Sequence, residues 1–172
     1  MNLRPFLVAA LMLALELTHL EAVAGSDENA GPATIVRVWM NYREAKSFVR
    51  LSEYFDGREN TGGDIVLRSQ PERREGFYFT VRLDARDKET LPDGRVVLQI
   101  IAPDAEKPRT FDFPFAAGAR RTARFEIGVT GTDWTFPKQQ PLAWKLEFFA
   151  SDGHSIASRE SFLWSKPGTP PR

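Results

Sequence analysis

The chain has 172 residues, 23 basic and 23 acidic side chains, a net charge of zero, and no cysteine. That length gives one domain with a substantial core, and neutrality leaves no overall field to draw in nucleic acid or an anionic membrane. The lack of cysteine excludes disulfides, thiolate metal sites, a thiol nucleophile and a cysteine-linked lipid anchor.

Residues 1–24 read as a secretory signal peptide. Arg4 supplies a positive start, Phe6 to Leu15 is an unbroken apolar run, and Ala22-Val23-Ala24 is an A-x-A cleavage site before Gly25. The apolar run is about ten residues, against roughly 20 for a membrane span. The expected location is therefore outside the cytoplasm: periplasm, cell surface or extracellular space. The alternative is an N-terminal helix packed on the domain. Residues 25–33 are small and polar and read as a flexible lead-in. Residues 165–172 carry three prolines and a glycine and read as a frayed tail.

Between them, residues 34–164 show short alternating runs separated by turn residues, the pattern of an all-β domain. Ile35 to Arg43 is a first strand, with Val36, Val38, Met40 and Tyr42 on the inner face. Phe48 to Phe55 is a second, less regular one. Asp56 to Asp64 is a loop, and Ile65 to Ser69 a short edge strand. Phe77 to Leu83 alternates most clearly, with Phe77, Phe79, Val81 and Leu83 inward. Pro92-Asp93-Gly94 marks a turn before a strand from Arg95 to Ala102. Arg109 to Phe115 contains Pro114, which lacks an N–H and so belongs at an edge. Thr122 to Thr130 alternates again. Leu142 to Ala150 brings Leu142, Trp144, Leu146 and Phe148 inward. Asp152-Gly153 signals a type I′ hairpin into a return strand, Ile156 to Trp164. The poor alternation of that strand predicts a bulge or an edge position.

About seven or eight such strands predict a two-sheet antiparallel sandwich. The pattern resembles immunoglobulin and fibronectin type III domains, with no signature motif and no cysteine pair. A closed barrel is the alternative.

The residues offer little catalytic chemistry. Of the two histidines, His19 lies in the leader and leaves His154 alone, which excludes a histidine-rich zinc site. Ser151, Asp152 and His154 have the letters of a catalytic triad but sit on one tight turn, where they cannot line up. A carboxylate pair such as Asp87 and Asp93 would suit a small hydrolase, although both lie in turns. The Asp56–Asp64 loop offers Asp56, Glu59, Asn60 and Asp64 as hard oxygen ligands, enough to raise a weak calcium site. No P-loop or dinucleotide fingerprint is present. The expectation is no catalytic residue, no cofactor and no resident metal.

Aromatic residues on polar faces are the remaining signal. Trp39 shares its strand face with Ile35, Arg37, Asn41 and Arg43, which suits sugar stacking or a protein hot spot unless a loop such as Asp56–Asp64 covers it. Trp134 lies in a loop and either binds or plugs the end of the sandwich. Arg73-Arg74 and Arg120-Arg121 read as solvated turn charges. The resulting expectation is an exported, non-enzymatic module binding another envelope or secreted protein through Trp39, Arg37, Arg43 and Trp134, via an edge strand or a loop end. A carbohydrate-binding module is the alternative, and a carboxylate hydrolase a third.

Overall fold

The computed structural model describes residues 31–87 and 89–165. The leader and most of the lead-in and tail fall outside these residues. Eight strands form the domain: β1 (Ala33–Arg43), β2 (Ile65–Arg68), β3 (Gly76–Ala85), β4 (Gly94–Ile101), β5 (Arg109–Phe115), β6 (Thr122–Thr130), β7 (Ala143–Ala150) and β8 (Ser155–Glu160). They make two four-stranded sheets, ordered β1-β3-β6-β2 and β5-β4-β7-β8. All pairings are antiparallel except β2 with β6. The order makes a two-sheet sandwich in which β1, β3 and β6 face β5, β4, β7 and β8, and β2 adds a parallel edge. No helix among the described residues is long and apolar enough to cross a membrane.

Period-two alternation places the core between the sheets. Phe77, Phe79, Val81 and Leu83 of β3 and Ala123, Phe125, Ile127 and Val129 of β6 face Val96, Leu98 and Ile100 of β4 and Leu146 and Phe148 of β7. Phe125 lies between Phe115 and Phe148, with edge-on ring contacts at 4.9 and 5.1 Å. These three rings tie the sheets together. Pro114 sits on β5, which pairs only with β4 and is an edge strand as the missing N–H requires.

Four local expectations are corrected. β1 shifts register between Ile35 and Arg37, so Ile35 turns inward and Val36 outward. An extra residue exchanges the faces on either side of it, and Val38, Met40 and Tyr42 then rejoin the core side. Phe48–Phe55 is not a strand but a 3-10 turn, Ala45–Phe48, followed by the helical turn α1, Glu53–Asp56. Leu142 precedes β7 and is exposed. The hairpin loop has positive φ at Gly153 alone, whereas type I′ needs it at two residues. The Ala150 and Gly153 amides bond to the His154 and Ala150 carbonyls, which gives a three-residue loop.

β8 combines a bulge and an edge position. Phe148 pairs with Ala157 and Phe149 with Ser155, so Ile156 is the extra residue, and Ile156 and Ala157 are both buried. The strand ends at Glu160 rather than Trp164. Beside it, Arg159 donates to the Ile35 carbonyl at 3.3 Å and links the two sheets along one side.

Candidate functional site

The outer face of the β1-β3-β6-β2 sheet divides into a covered half and an open half. Register sets its rows. Asn41, Tyr78, Gly128 and Arg68 lie side by side; Trp39, Thr80, Glu126 and Val66 form the next row; Arg37, Arg82 and Arg124 the one after.

The covered half is a second, smaller core. Tyr78 points away from the main core yet is fully buried. Its ring lies across Gly128, where a side chain would collide with it. Phe48 roofs it at 4.8 Å, and Arg43 stacks on Phe48 at 3.7 Å. The Tyr78 hydroxyl donates to the Arg74 carbonyl at 2.8 Å and accepts from Arg68 Nε at 2.9 Å. Carboxylates then hold the 44–64 segment down: Glu59 pairs with Arg68 and Glu53 with Arg74 at 2.7 Å. Beside it, Glu126 on β6 pairs with Arg43 on β1, the arginine under Phe48. Side-chain burial therefore follows the arginine–carboxylate pairs as much as the apolar residues.

This bracing turns the helical segment inside out. Amides 53, 54 and 55 bond back to carbonyls 50, 51 and 52, and Gly57, at φ 67°, closes the turn onto the Glu53 carbonyl. Leu51, Tyr54 and Phe55 therefore share one face at i, i+3 and i+4. That face points to water: the three residues are 74, 77 and 84 % exposed, while the Glu53 side chain is only 10 % exposed. A surface helix ordinarily buries its apolar stripe and solvates its acids. Here the ion pair with Arg74 faces the sheet and the apolar residues face out.

The carboxylates make the roof sensitive to acid. The hydrogen bond from Arg68 holds Glu59 below the usual carboxylate range, and the one from Arg74 does the same for Glu53. A depressed folded-state pKa contributes stability above the ordinary value of about 4.3 and loses it as pH falls toward the lowered value. Amide NMR signals of residues 45–64 should therefore broaden or shift below about pH 4, before the strands unfold. Glu59→Gln should reproduce that state at neutral pH. A loop that stays native until the whole domain unfolds would contradict the assignment.

The sequence-derived candidates separate. Arg37 and Trp39 remain together and exposed, with the guanidinium 5.2 Å from the indole centroid. Arg43 is drawn under the roof by Glu126 and Phe48. Trp134 is buried at 3 % exposure, its ring tilted against Phe77 at 4.9 Å, and its Nε1 donates to the Phe136 carbonyl at 2.8 Å. Its place is that of a plug at the end of the sandwich. It forms part of the wall of a cavity of about 560 Å³ shared with Tyr42, Arg73, Glu75 and Thr132. Burial, and then the hydrogen bond to Glu75, push the Tyr42 phenol up to about 12, so it stays a neutral donor there.

The other candidates are taken up by structural contacts. In the Asp56–Asp64 loop, Glu59 and Asp64 face Arg68 and Arg124, and Asn60 accepts from the Gly62 amide. No cluster of acids or histidines suited to a metal occurs among the described residues. Asp93 is exposed and accepts from the Ala117 amide at 2.7 Å; Asp87 is exposed at a positive φ. Asp152 pairs with exposed His154 across the hairpin turn, and the His154 amide holds the Asp152 carboxyl below its usual range.

Leu51, Tyr54 and Phe55 were missed because an apolar run of this length also reads as a strand. The signal that identifies them is their helical spacing, with Gly57 as the αL cap just beyond. No family model, no curated protein and no solved structure matches this chain.

Proposed function

We propose that the chain is an exported, non-enzymatic β-sandwich module that binds another envelope or secreted protein. The observation that carries this reading is the outward apolar face of Leu51, Tyr54 and Phe55 on a turn braced by half-buried ion pairs. Such a face gains nothing in the isolated domain and gains free energy when covered. Aromatic residues held in place lose little entropy on docking, as hot spots require. The surroundings carry both signs of charge, with Arg50 exposed and Lys46 paired to Glu44 at 2.7 Å. A mixed polar rim around an apolar centre suits a protein partner better than an anionic lipid surface. Export is supported by the leader pattern in residues 1–24.

A photo-crosslinking residue at position 54 or 55 of the full chain in its native host tests this. The expected result is one stoichiometric protein adduct, absent when the crosslinker sits at exposed Gln139. Phe55→Ser should weaken the purified pair by about 2 kcal/mol and leave the thermal midpoint unchanged, because the ring makes no core contact. Adducts no stronger at 54 and 55 than at 139 would overturn the reading.

A further inference from the structure

The open half of the same sheet face carries a separate arrangement. Arg37 on β1 is the register partner of Arg82 on β3, and Arg82 of Arg124 on β6. Neighbouring strands are about 4.8 Å apart, so the three positions span roughly 10 Å in a straight row. Like charges directly opposite one another destabilise a ladder. The protein offsets the repulsion only in part. Asp84 forks Arg82 through Nε and one terminal nitrogen, both at 3.1 Å, and Asp64 holds Arg124 in the same way. Each fork occupies one edge of a guanidinium and leaves N–H donors on the other. The two side chains remain 51 and 53 % exposed. Arg37 has no carboxylate partner among the described residues and lies over Trp39. In the adjoining row stand Trp39, 44 % exposed, and the Thr80 hydroxyl.

A conflict in local charge that the fold does not need, beside an exposed indole on a rigid sheet, has the form of a binding surface. We propose that this face binds an anionic polysaccharide. Trp39 stacks on the apolar face of a sugar ring, and Arg37, Arg82 and Arg124 take the carboxylates or sulfates of successive units. Three features favour this occupant. The arginines lie in one row across neighbouring strands, as an extended polymer requires. Guanidinium edges match carboxylate and sulfate oxygens bidentately. A single aromatic between donors suits a sugar, with its apolar face and polar rim, better than a stretch of protein core.

The test uses the purified full-length mature protein with a polyuronate, a neutral dextran and anionic phospholipid vesicles as probes. Tryptophan fluorescence and calorimetry should report saturable binding to the polyuronate, none to dextran, and weakening as salt rises. Arg82→Gln, Arg37→Gln and Trp39→Ala should each weaken binding at least tenfold. The two arginine variants should keep or raise the thermal midpoint, because they relieve repulsion, and a purely structural role would move it down. Phe55→Ser should bind the polyuronate normally, so the two surfaces fail or succeed independently. Absence of polyuronate binding, binding undiminished in the variants, or binding to vesicles alone would each overturn the proposal.

Discussion

Phe125→Ala is expected to cost about 3–5 kcal/mol, the range for deleting a buried aromatic ring. The ring is fully buried at the centre of β6. It contacts Phe115 of β5 and Phe148 of β7 edge-on, and those two meet each other at 6.0 Å. Such pairs add about 0.5–1.5 kcal/mol beyond the area they bury. The cavity would be walled by strands of both sheets, each fixed by its own ladder, so little collapse can fill it. A domain of this size has a total stability of about 5–15 kcal/mol, so the variant should lose a large share of it. Urea unfolding should show a lower midpoint at an unchanged slope. Phe111→Ala serves as the comparison: that ring is only partly buried, stacked on Phe113 at 6.4 Å, and should cost much less. Equal losses would mean that the three-ring contact does not hold the sheets.

Gly128→Ala should destabilise the protein by about 1–3 kcal/mol through overpacking, and its effect should reach beyond its own strand. A Cβ there would stand 2.6 and 2.7 Å from two ring carbons of Tyr78. The ring cannot slide aside, because its hydroxyl is held by Arg68 and by the Arg74 carbonyl. It must lift, which breaks those bonds and displaces Phe48. The 44–64 segment should loosen, and binding through Leu51, Tyr54 and Phe55 should weaken although none of them has changed. Hydrogen exchange in that segment is the direct readout. Combining Gly128→Ala with Tyr78→Ala should cost less than the sum of the two, since the collision is then gone. Strict additivity would place the effect of Gly128 elsewhere.

The second prediction bears on the proposed protein-binding face. A docking surface of three side chains is only as ordered as its support. The Arg68–Glu59 and Arg74–Glu53 pairs, the Phe48 lid and the bare Gly128 backbone supply that support. Acid, Glu59→Gln and Gly128→Ala disturb it by different routes and should loosen the same segment.

Strand alternation in Phe77–Leu83 and Thr122–Thr130, and Pro114 at an edge, were legible from the residues alone, because each reflects a local rule of period or backbone chemistry. So were the all-β class and the sandwich, since strands with one apolar face can bury it only against another sheet. That Arg37 and Trp39 share a strand face also followed from alternation; that no loop covers them was decided by where the Asp56–Asp64 segment packs. Three further features depended on the tertiary structure. The bulge at Val36 exchanged Ile35 and Val36 between faces, since register is set by pairing with β3 rather than by β1 itself. Trp134 left the surface, and Arg43 was half-buried, because residues distant in sequence, Phe77 and Glu126, supplied their partners. The apolar turn at Leu51–Phe55 pointed outward because Arg74 and Arg68 claimed its acids. In a short segment, the ion pairs it makes across the fold outweigh the direction its hydrophobicity would choose.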